Sequence, residues 1–192
     1  MKNYYKVMLG RGSAFAEEAK ENDFIGADFE ISVNLKFKLP DDWREFNKQF
    51  IPVYLKAQPD KTRIGAGLAC GQLWTVSKGI QVGDTVLSPT AQGSGIYMVG
   101  EVTGEYDYKA GQNLPHRRNI RWFTEINRSD MTQELQNSSG GITTVINLDK
   151  YAKELDLLIE NPGVQIKTSD DTIEDPSVFA LEMHLEDFLV HN

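Results

Sequence analysis

The sequence is short of the residues that build metal centres and disulfide frameworks. It has one cysteine, Cys70, and three scattered histidines, so neither an intrachain disulfide nor a zinc site of paired cysteines fits. No apolar run approaches the roughly 18 residues of a membrane-spanning helix, and the first residues lack a signal-peptide apolar core. We therefore expect a cytoplasmic protein with no membrane partner, no structural metal and no cofactor in this chain.

What is present is typical of a soluble globular protein. The 192 residues are 40% hydrophobic and 25% charged, which excludes disordered, collagen-like and coiled-coil classes. A chain of this length forms one domain, or one domain with an appendage.

Charge is distributed unevenly along the chain. The formal net charge is −8, but residues 168–192 hold seven acidic side chains and no lysine or arginine, so the rest is nearly neutral. The segment 109–128 is basic instead, because Glu125 is its one acidic residue. Its basic residues are Lys109, Arg117, Arg118, Arg121 and Arg128. Two interpretations stay open: phosphate contacts, or an ordinary solvated basic face that balances the acidic tail.

Hydrophobic patterns predict both strands and helices. Strands are predicted at residues 3–9, 24–33, 82–89, 96–103 and 119–125, and helices after Ser13, from Asp42, within 62–76, after Ser129, at 148–159 and at 176–192. Asp42-Trp-Arg-Glu45 has capping-box spacing, and Pro52 is expected to kink or end that helix. Three glycines between 62 and 76 suggest that another backbone approaches closely there. The pattern indicates an α+β fold, a small curled sheet or barrel flanked by helices.

Two groups of residues allow for catalysis in principle. Cys70 would need His116 as a base, although a free cysteine is more often a small buried hydrophobe. Asp107-Tyr-Lys109 matches half of a metal-dependent nuclease motif, with Asp84 as a conceivable partner, but such short matches are usually solvated turns. The glycines form no phosphate loop. The residues alone therefore show no active site.

Several runs between Gly71 and Trp122 carry a resemblance. They are Gly71-Gln-Leu-Trp74, Ile80-Gln-Val-Gly-Asp-Thr-Val-Leu-Ser-Pro89, Val99-Gly-Glu-Val-Thr-Gly-Glu-Tyr-Asp-Tyr108, His116-Arg-Arg118 and Ile120-Arg-Trp122. In this order they resemble the modification-reading domains of prokaryotic restriction enzymes, in the EVE/YTH/PUA-like superfamily. The similarity covers most of residues 3–160.

The resemblance implies a division of the chain. Residues 1–160 would form a modified-base-reading domain, a mixed β pseudo-barrel flanked by helices. Residues 161–192 would be an acidic linker and the opening helix of a NucS-like PD-(D/E)xK nuclease domain, whose catalytic groups and divalent metal lie outside this sequence. Dimerisation through that missing domain is implied as well.

The same resemblance implies an aromatic pocket for a base flipped out of double-stranded DNA. The candidate pocket residues are Asp28, Phe29, Trp74, Tyr106, Tyr108 and Trp122. For each aromatic residue, core packing is the alternative, and Asp28 could simply cap a turn. The leading hypothesis is the specificity module of a modification-dependent restriction endonuclease. The alternatives are an RNA-binding PUA-like module, an autonomous metal-dependent nuclease and a structural dimerisation domain.

Overall fold

The structure is a computed structural model that describes residues 2–163. Six strands lie at Tyr4–Val7 (β1), Phe24–Ala27 (β2), Thr85–Pro89 (β3), Ile96–Tyr108 (β4), His116–Asn127 (β5) and Val145–Asn147 (β6). Five α-helices lie at Ala16–Glu21 (α1), Trp43–Ala57 (α2), Arg63–Trp74 (α3), Gln133–Ser139 (α4) and Ala152–Glu160 (α5). The linker and helix predicted after residue 163 lie outside the described residues.

The strands form one mixed sheet in the order β2-β5-β4-β3-β1-β6. Only β1 and β3 pair in parallel, and every other neighbouring pair is antiparallel. Strands β4 and β5 form a long hairpin with register shifts at Val99/Gly100 and Val102/Tyr106, and such irregularities bend and twist a sheet. The predicted α+β fold with helices flanking a mixed sheet is confirmed.

Three apolar clusters form the core. Alternate residues of β3 point to opposite faces, so Val86 joins the cluster under α1 and Leu87 joins the cluster under α4 and α5. The remaining cluster joins α2 and α3 to the end of the β4–β5 hairpin. Within residues 2–163, no helix is long and apolar enough to cross a membrane.

The helix predicted from Asp42 is confirmed, but its expected interruption is not. The Asp42 carboxylate accepts a hydrogen bond from the Arg44 amide at 2.8 Å, as an N-cap side chain does. Pro52 lies inside α2, which continues to Ala57. Pro52 is exposed, so water can solvate the Lys48 carbonyl that it leaves without a helical donor.

Other local predictions need correction. The glycines of α3 do not reflect the close approach of another backbone. An added Cβ at Gly71 would meet nothing within 4 Å, one at Gly67 would meet only side chains at ordinary distances, and one at Gly65 would meet only the Thr62 hydroxyl, at 3.3 Å. Ser13 has a left-handed φ of 63° and lies in a 3-10 turn before α1 rather than capping it. The cap of α4 is Thr132, whose hydroxyl accepts from the Leu135 amide at 3.3 Å, and not Ser129.

Candidate nucleic-acid interface

A buried histidine organises the end of the β4–β5 hairpin. The strand register places His116 opposite Tyr108, and the two rings lie 5.1 Å apart between centroids. His116 Nε2 lies 2.8 Å from the Ile31 carbonyl oxygen, and Nδ1 lies 2.9 Å from the Tyr106 hydroxyl. A carbonyl only accepts, so Nε2 carries a proton. Burial lowers the pKa of His116, which favours the neutral ring, in which Nδ1 accepts from the Tyr106 hydroxyl.

These hydrogen bonds fasten the loop between β2 and α2 onto the hairpin. The Tyr106 hydroxyl also accepts a hydrogen bond from the Leu35 amide at 3.1 Å. The side chains of Ile31 and Leu35 are fully buried beneath the loop. The loop that carries Asp28 and Phe29 is thus held at two backbone positions, although it has no regular secondary structure of its own.

The structure brings together most of the predicted pocket residues. Phe29, Trp74, Tyr106 and Tyr108 belong to one cluster, and the charge of Asp28 acts on His116. Phe29 and Tyr108 are half-buried, Asp28 is exposed and Tyr106 is buried. The Asp28 carboxylate accepts from the Glu30 amide at 2.9 Å. A ligand could therefore reach Tyr108 beside His116, and Asp28 and Phe29 directly after Ala27, the strand partner of His116.

The two candidate tryptophans use their indole N–H groups within the fold. Trp74 donates to the Pro40 carbonyl at 2.9 Å and so joins α3 to the loop before α2. Trp122 donates to the Ala19 carbonyl at 3.2 Å and packs in the cluster under α1. The structure therefore separates Trp122 from the other pocket candidates and gives it a packing position.

Two of the predicted phosphate contacts lie in the interior. The Arg118 side chain is 2% exposed, and its guanidinium donates to the carbonyls of Val76 and Ser77 at 2.8 and 2.7 Å. Arg117 donates to the Leu114 carbonyl at 3.0 Å and covers the ring of Phe24 at 3.6 Å. The expectation of surface phosphate contacts at these two positions is corrected, because both guanidinium groups are already enclosed by protein acceptors.

The other three basic residues are nearer the surface but have partners. Lys109 pairs with Asp107 at 2.7 Å and Arg121 with Glu101 at 3.2 Å. Arg128 donates to the Gln136 carbonyl at 3.0 Å. Segment 109–128 therefore does not form one continuous basic face. Ion pairs between exposed side chains are weak, so Lys109 and Arg121 can exchange a carboxylate for a phosphate.

Sequence reasoning missed a basic surface segment close to the cluster. Lys36, Phe37 and Lys38 are all exposed at the tip of the loop that the Tyr106 hydroxyl holds. The alternation of lysine and phenylalanine was the signal available in the sequence. This alternation was not informative without the fold, because a phenylalanine in a loop is buried as often as it is exposed.

The chain matches a protein family over most of its length. A family described as a domain of unknown function, DUF8426, matches residues 5–149. The chain belongs to this family. A comparison with curated proteins found no match.

Among solved structures, this DUF8426 member is similar to the YTH domain of the Zygosaccharomyces rouxii MRB1 protein. That domain was crystallised in complex with N6-methyladenosine RNA. The sequence identity is 12%, the TM-score is 0.42, and the similarity covers 85% of this chain and 90% of that one.

The catalytic groups considered from the sequence are not assembled in this DUF8426 domain. Cys70 is fully buried, and burial raises the pKa of its thiol to about 12, so it stays protonated. The Asp84 carboxylate accepts from the amides of Asn3 and Gln81. Asp107 lies five residues along β4 from Val102, the partner of Asp84, on the order of 15 Å away. Residues 2–163 contain no group of three or more potential metal ligands.

Proposed function

We propose that this domain binds nucleic acid by holding an unpaired, modified base against Phe29 and Tyr108. The observation that carries the proposal is the position of Asp28 and Phe29 directly after Ala27, the strand partner of His116, together with Tyr108, whose ring centroid lies 5.1 Å from that of His116. All three side chains keep solvent access. This arrangement combines two aromatic side chains with one hydrogen-bond acceptor. It suits a flat ligand that carries an amino group at its edge.

The energies of base flipping fit such an arrangement. Extruding a base costs a few kcal/mol, and stacking on one aromatic side chain returns about 1–3 kcal/mol. Burying a methyl group adds only about 0.8 kcal/mol, or roughly a fourfold preference. Useful discrimination therefore also needs a hydrogen bond to the base edge. The Asp28 carboxylate, which has acceptor capacity beyond the Glu30 amide, would supply it to an exocyclic amine.

The hydrogen-bond network behind the site supports a preorganised pocket. Phe29 is on the loop and Tyr108 is on β4, so their relative position depends on the contacts of Tyr106 and His116 with that loop. Every polar atom of this network has a partner when His116 is neutral. A ligand would therefore meet aromatic side chains that are already in place, which reduces the ordering cost of binding.

We further propose double-stranded DNA as the target and a nuclease domain outside this chain as the effector. This finer proposal rests on the sequence resemblance to restriction-enzyme readers. Lys109 and Arg121, the two of the five predicted phosphate contacts that have exposed side chains, would contact phosphates without reading sequence. Hydrolysis and its divalent metal would belong to the nuclease domain.

Fluorescence anisotropy tests the proposal with otherwise identical duplexes that carry no modification, a modified cytosine or N6-methyladenine. We expect a preference of about tenfold or more for one modified duplex at physiological salt, and loss of that preference in Tyr108→Ala. Asp28→Asn keeps an oxygen for the Glu30 amide and removes the charge, so it isolates the carboxylate. Phe123→Ala removes an aromatic side chain that is 47% exposed on β5 and serves as the control.

Two results would contradict the proposal. Equal, weak binding to all duplexes that collapses with salt would leave only a nonspecific basic surface. A strong preference for RNA of the same sequence, dependent on the 2′-hydroxyl, would replace DNA by RNA as the target. Thermal unfolding of each variant must match the wild type for either comparison to count.

A further inference from the structure

The turn at Lys36–Lys38 presents an aromatic side chain to solvent. Phe37 is 93% exposed, and the lysines on both sides of it are exposed. Neither lysine forms an ion pair with any residue between 2 and 163, whereas most other cations near the hairpin have a carboxylate or carbonyl partner. The turn therefore combines an exposed aromatic ring, whose centroid lies 6.0 Å from Lys36 Nζ, with two lysines that have no ion-pair partner among the described residues.

The turn is supported rigidly from below. Leu35 is fully buried, and its amide donates to the Tyr106 hydroxyl. The Asn34 side chain accepts from the Lys36 amide at 2.9 Å, and the Lys38 amide donates to the Leu35 carbonyl at 2.8 Å. These bonds fix the backbone on both sides of Phe37. The ring is thus held outward by a structured turn.

The turn also lies beside the proposed base site. The pKa of Asp107 is lowered, chiefly by the hydrogen bond from Lys109 and in smaller part by the charge of Lys36. Leu35, directly before Lys36, donates its amide to the Tyr106 hydroxyl at 3.1 Å, and Tyr106 is two positions from Tyr108 on β4, so the turn begins next to the proposed site. A nucleotide bound at Tyr108 would have its neighbours within reach of this turn, because successive nucleotides are only a few ångströms apart along a strand.

We propose that Phe37 stacks on a base next to the one held at Phe29 and Tyr108, while Lys36 and Lys38 contact the phosphates that flank it. This inference rests on the proposed function. Every base has an aromatic face, so stacking on Phe37 would add affinity without reading sequence. Phe37 would fill the space that a flipped base leaves, or hold an adjacent unpaired base.

Charge complementarity favours nucleic acid over a lipid surface as the partner. A phosphate backbone provides anions at regular spacing on both sides of each base, which matches one ring between two lysines. Membrane-surface segments use a wide apolar face, whereas the exposed apolar group of this turn is the single ring of Phe37. Binding to anionic vesicles is the alternative that the experiment separates.

The experiment measures anisotropy of labelled duplexes with N6-methyladenine, 5-methylcytosine or no modification. We expect Phe37→Ala to lose affinity about tenfold on every duplex and to keep the modification preference. The double variant Lys36→Ala/Lys38→Ala should lower the slope of log affinity against log salt by about two. The matched controls are Phe123→Ala, and Lys153→Ala on α5, and neither should change these values.

The outcomes separate the two proposals. If the wild type binds none of the duplexes, the proposed function fails and this inference fails with it. If the wild type shows its preference and Phe37→Ala binds equally well, only this inference is overturned. If Phe37→Ala loses binding to phosphatidylserine vesicles and keeps its affinity for DNA, the turn is a membrane contact and the inference is wrong.

Discussion

Replacing Arg118 with methionine is expected to reduce the free energy of unfolding by about 2–4 kcal/mol. Its guanidinium donates short hydrogen bonds to the carbonyls of Val76 and Ser77 and a longer one, at 3.4 Å, to that of Gly104. Val76 and Ser77 lie in a π-helical turn, Thr75–Gly79, after α3. The wider turn leaves these carbonyls without helical donors, so Arg118 completes the end of the helix.

The magnitude follows from two opposing contributions. Hydrogen bonds from a charged donor contribute about 1.5–3 kcal/mol each, so the two short bonds represent about 3–6 kcal/mol. The opposing contribution is the cost of burying the charge, which also lowers the pKa of Arg118. The methionine variant no longer has this cost, and its side chain packs against the same apolar surroundings. The ion pair with Glu105, whose side chain is 82% exposed, contributes little. The remaining loss is about 2–4 kcal/mol.

Urea unfolding followed by tryptophan fluorescence measures this loss. Arg121→Met is the control, because the Arg121 side chain is 68% exposed, and its effect should stay within about 0.5 kcal/mol. A loss below about 1 kcal/mol for Arg118→Met, together with weaker DNA binding, would contradict the structural role of Arg118. That result would restore Arg118 as a phosphate contact.

Three further predictions concern His116, two glycines and Cys70. Burial lowers the pKa of His116 from 6.5, so the unfolded chain binds this proton at a higher pH than the folded protein does. The free energy of unfolding should therefore decrease as the pH falls from about 7 to 5. Urea unfolding of His116→Gln over this range should show a smaller dependence of that free energy on pH. Gly71→Ala should raise thermal stability by about 0.5–1 kcal/mol, whereas Gly100→Ala should lower it, since its Cβ would lie 2.7 Å from the Ile120 side chain; equal effects would contradict this. Cys70 should react with a thiol reagent only at the rate of unfolding, and rapid labelling of the native protein would refute its burial.

Local signals in the sequence predicted local structure well. Asp42 caps α2 through a hydrogen bond to a residue two positions away, so the pattern contains everything that the cap needs. Strand β6 was missed because its three residues are too few to show a period. Its formation depends on pairing with β1, at the other end of the chain.

The charge pattern was misleading because it does not reveal which faces of a strand are covered. Strand β5 lies between β2 and β4, and its first three residues are all buried, so alternation does not place either Arg117 or Arg118 in solvent.

The positions of the pocket candidates depend on both local and long-range contacts. Tyr106, Tyr108 and His116 are brought together by hairpin register, but the contacts to Ile31 and Leu35 span more than 70 positions and have no local signature.

The position of β1 in the sheet has a consequence for how the chain folds. This first strand pairs with β3 on one side and β6 on the other, and 77 residues separate Val7 from Thr85. Closing such a loop is entropically slow, while the β4–β5 hairpin needs only a short connection. During synthesis, β1 emerges before the other five strands, yet its edge toward β3 stays unpaired until Pro89 has emerged, and its edge toward β6 stays unpaired until Asn147 has emerged. The hairpin that carries Tyr108 and His116 can therefore form before the strand that precedes it.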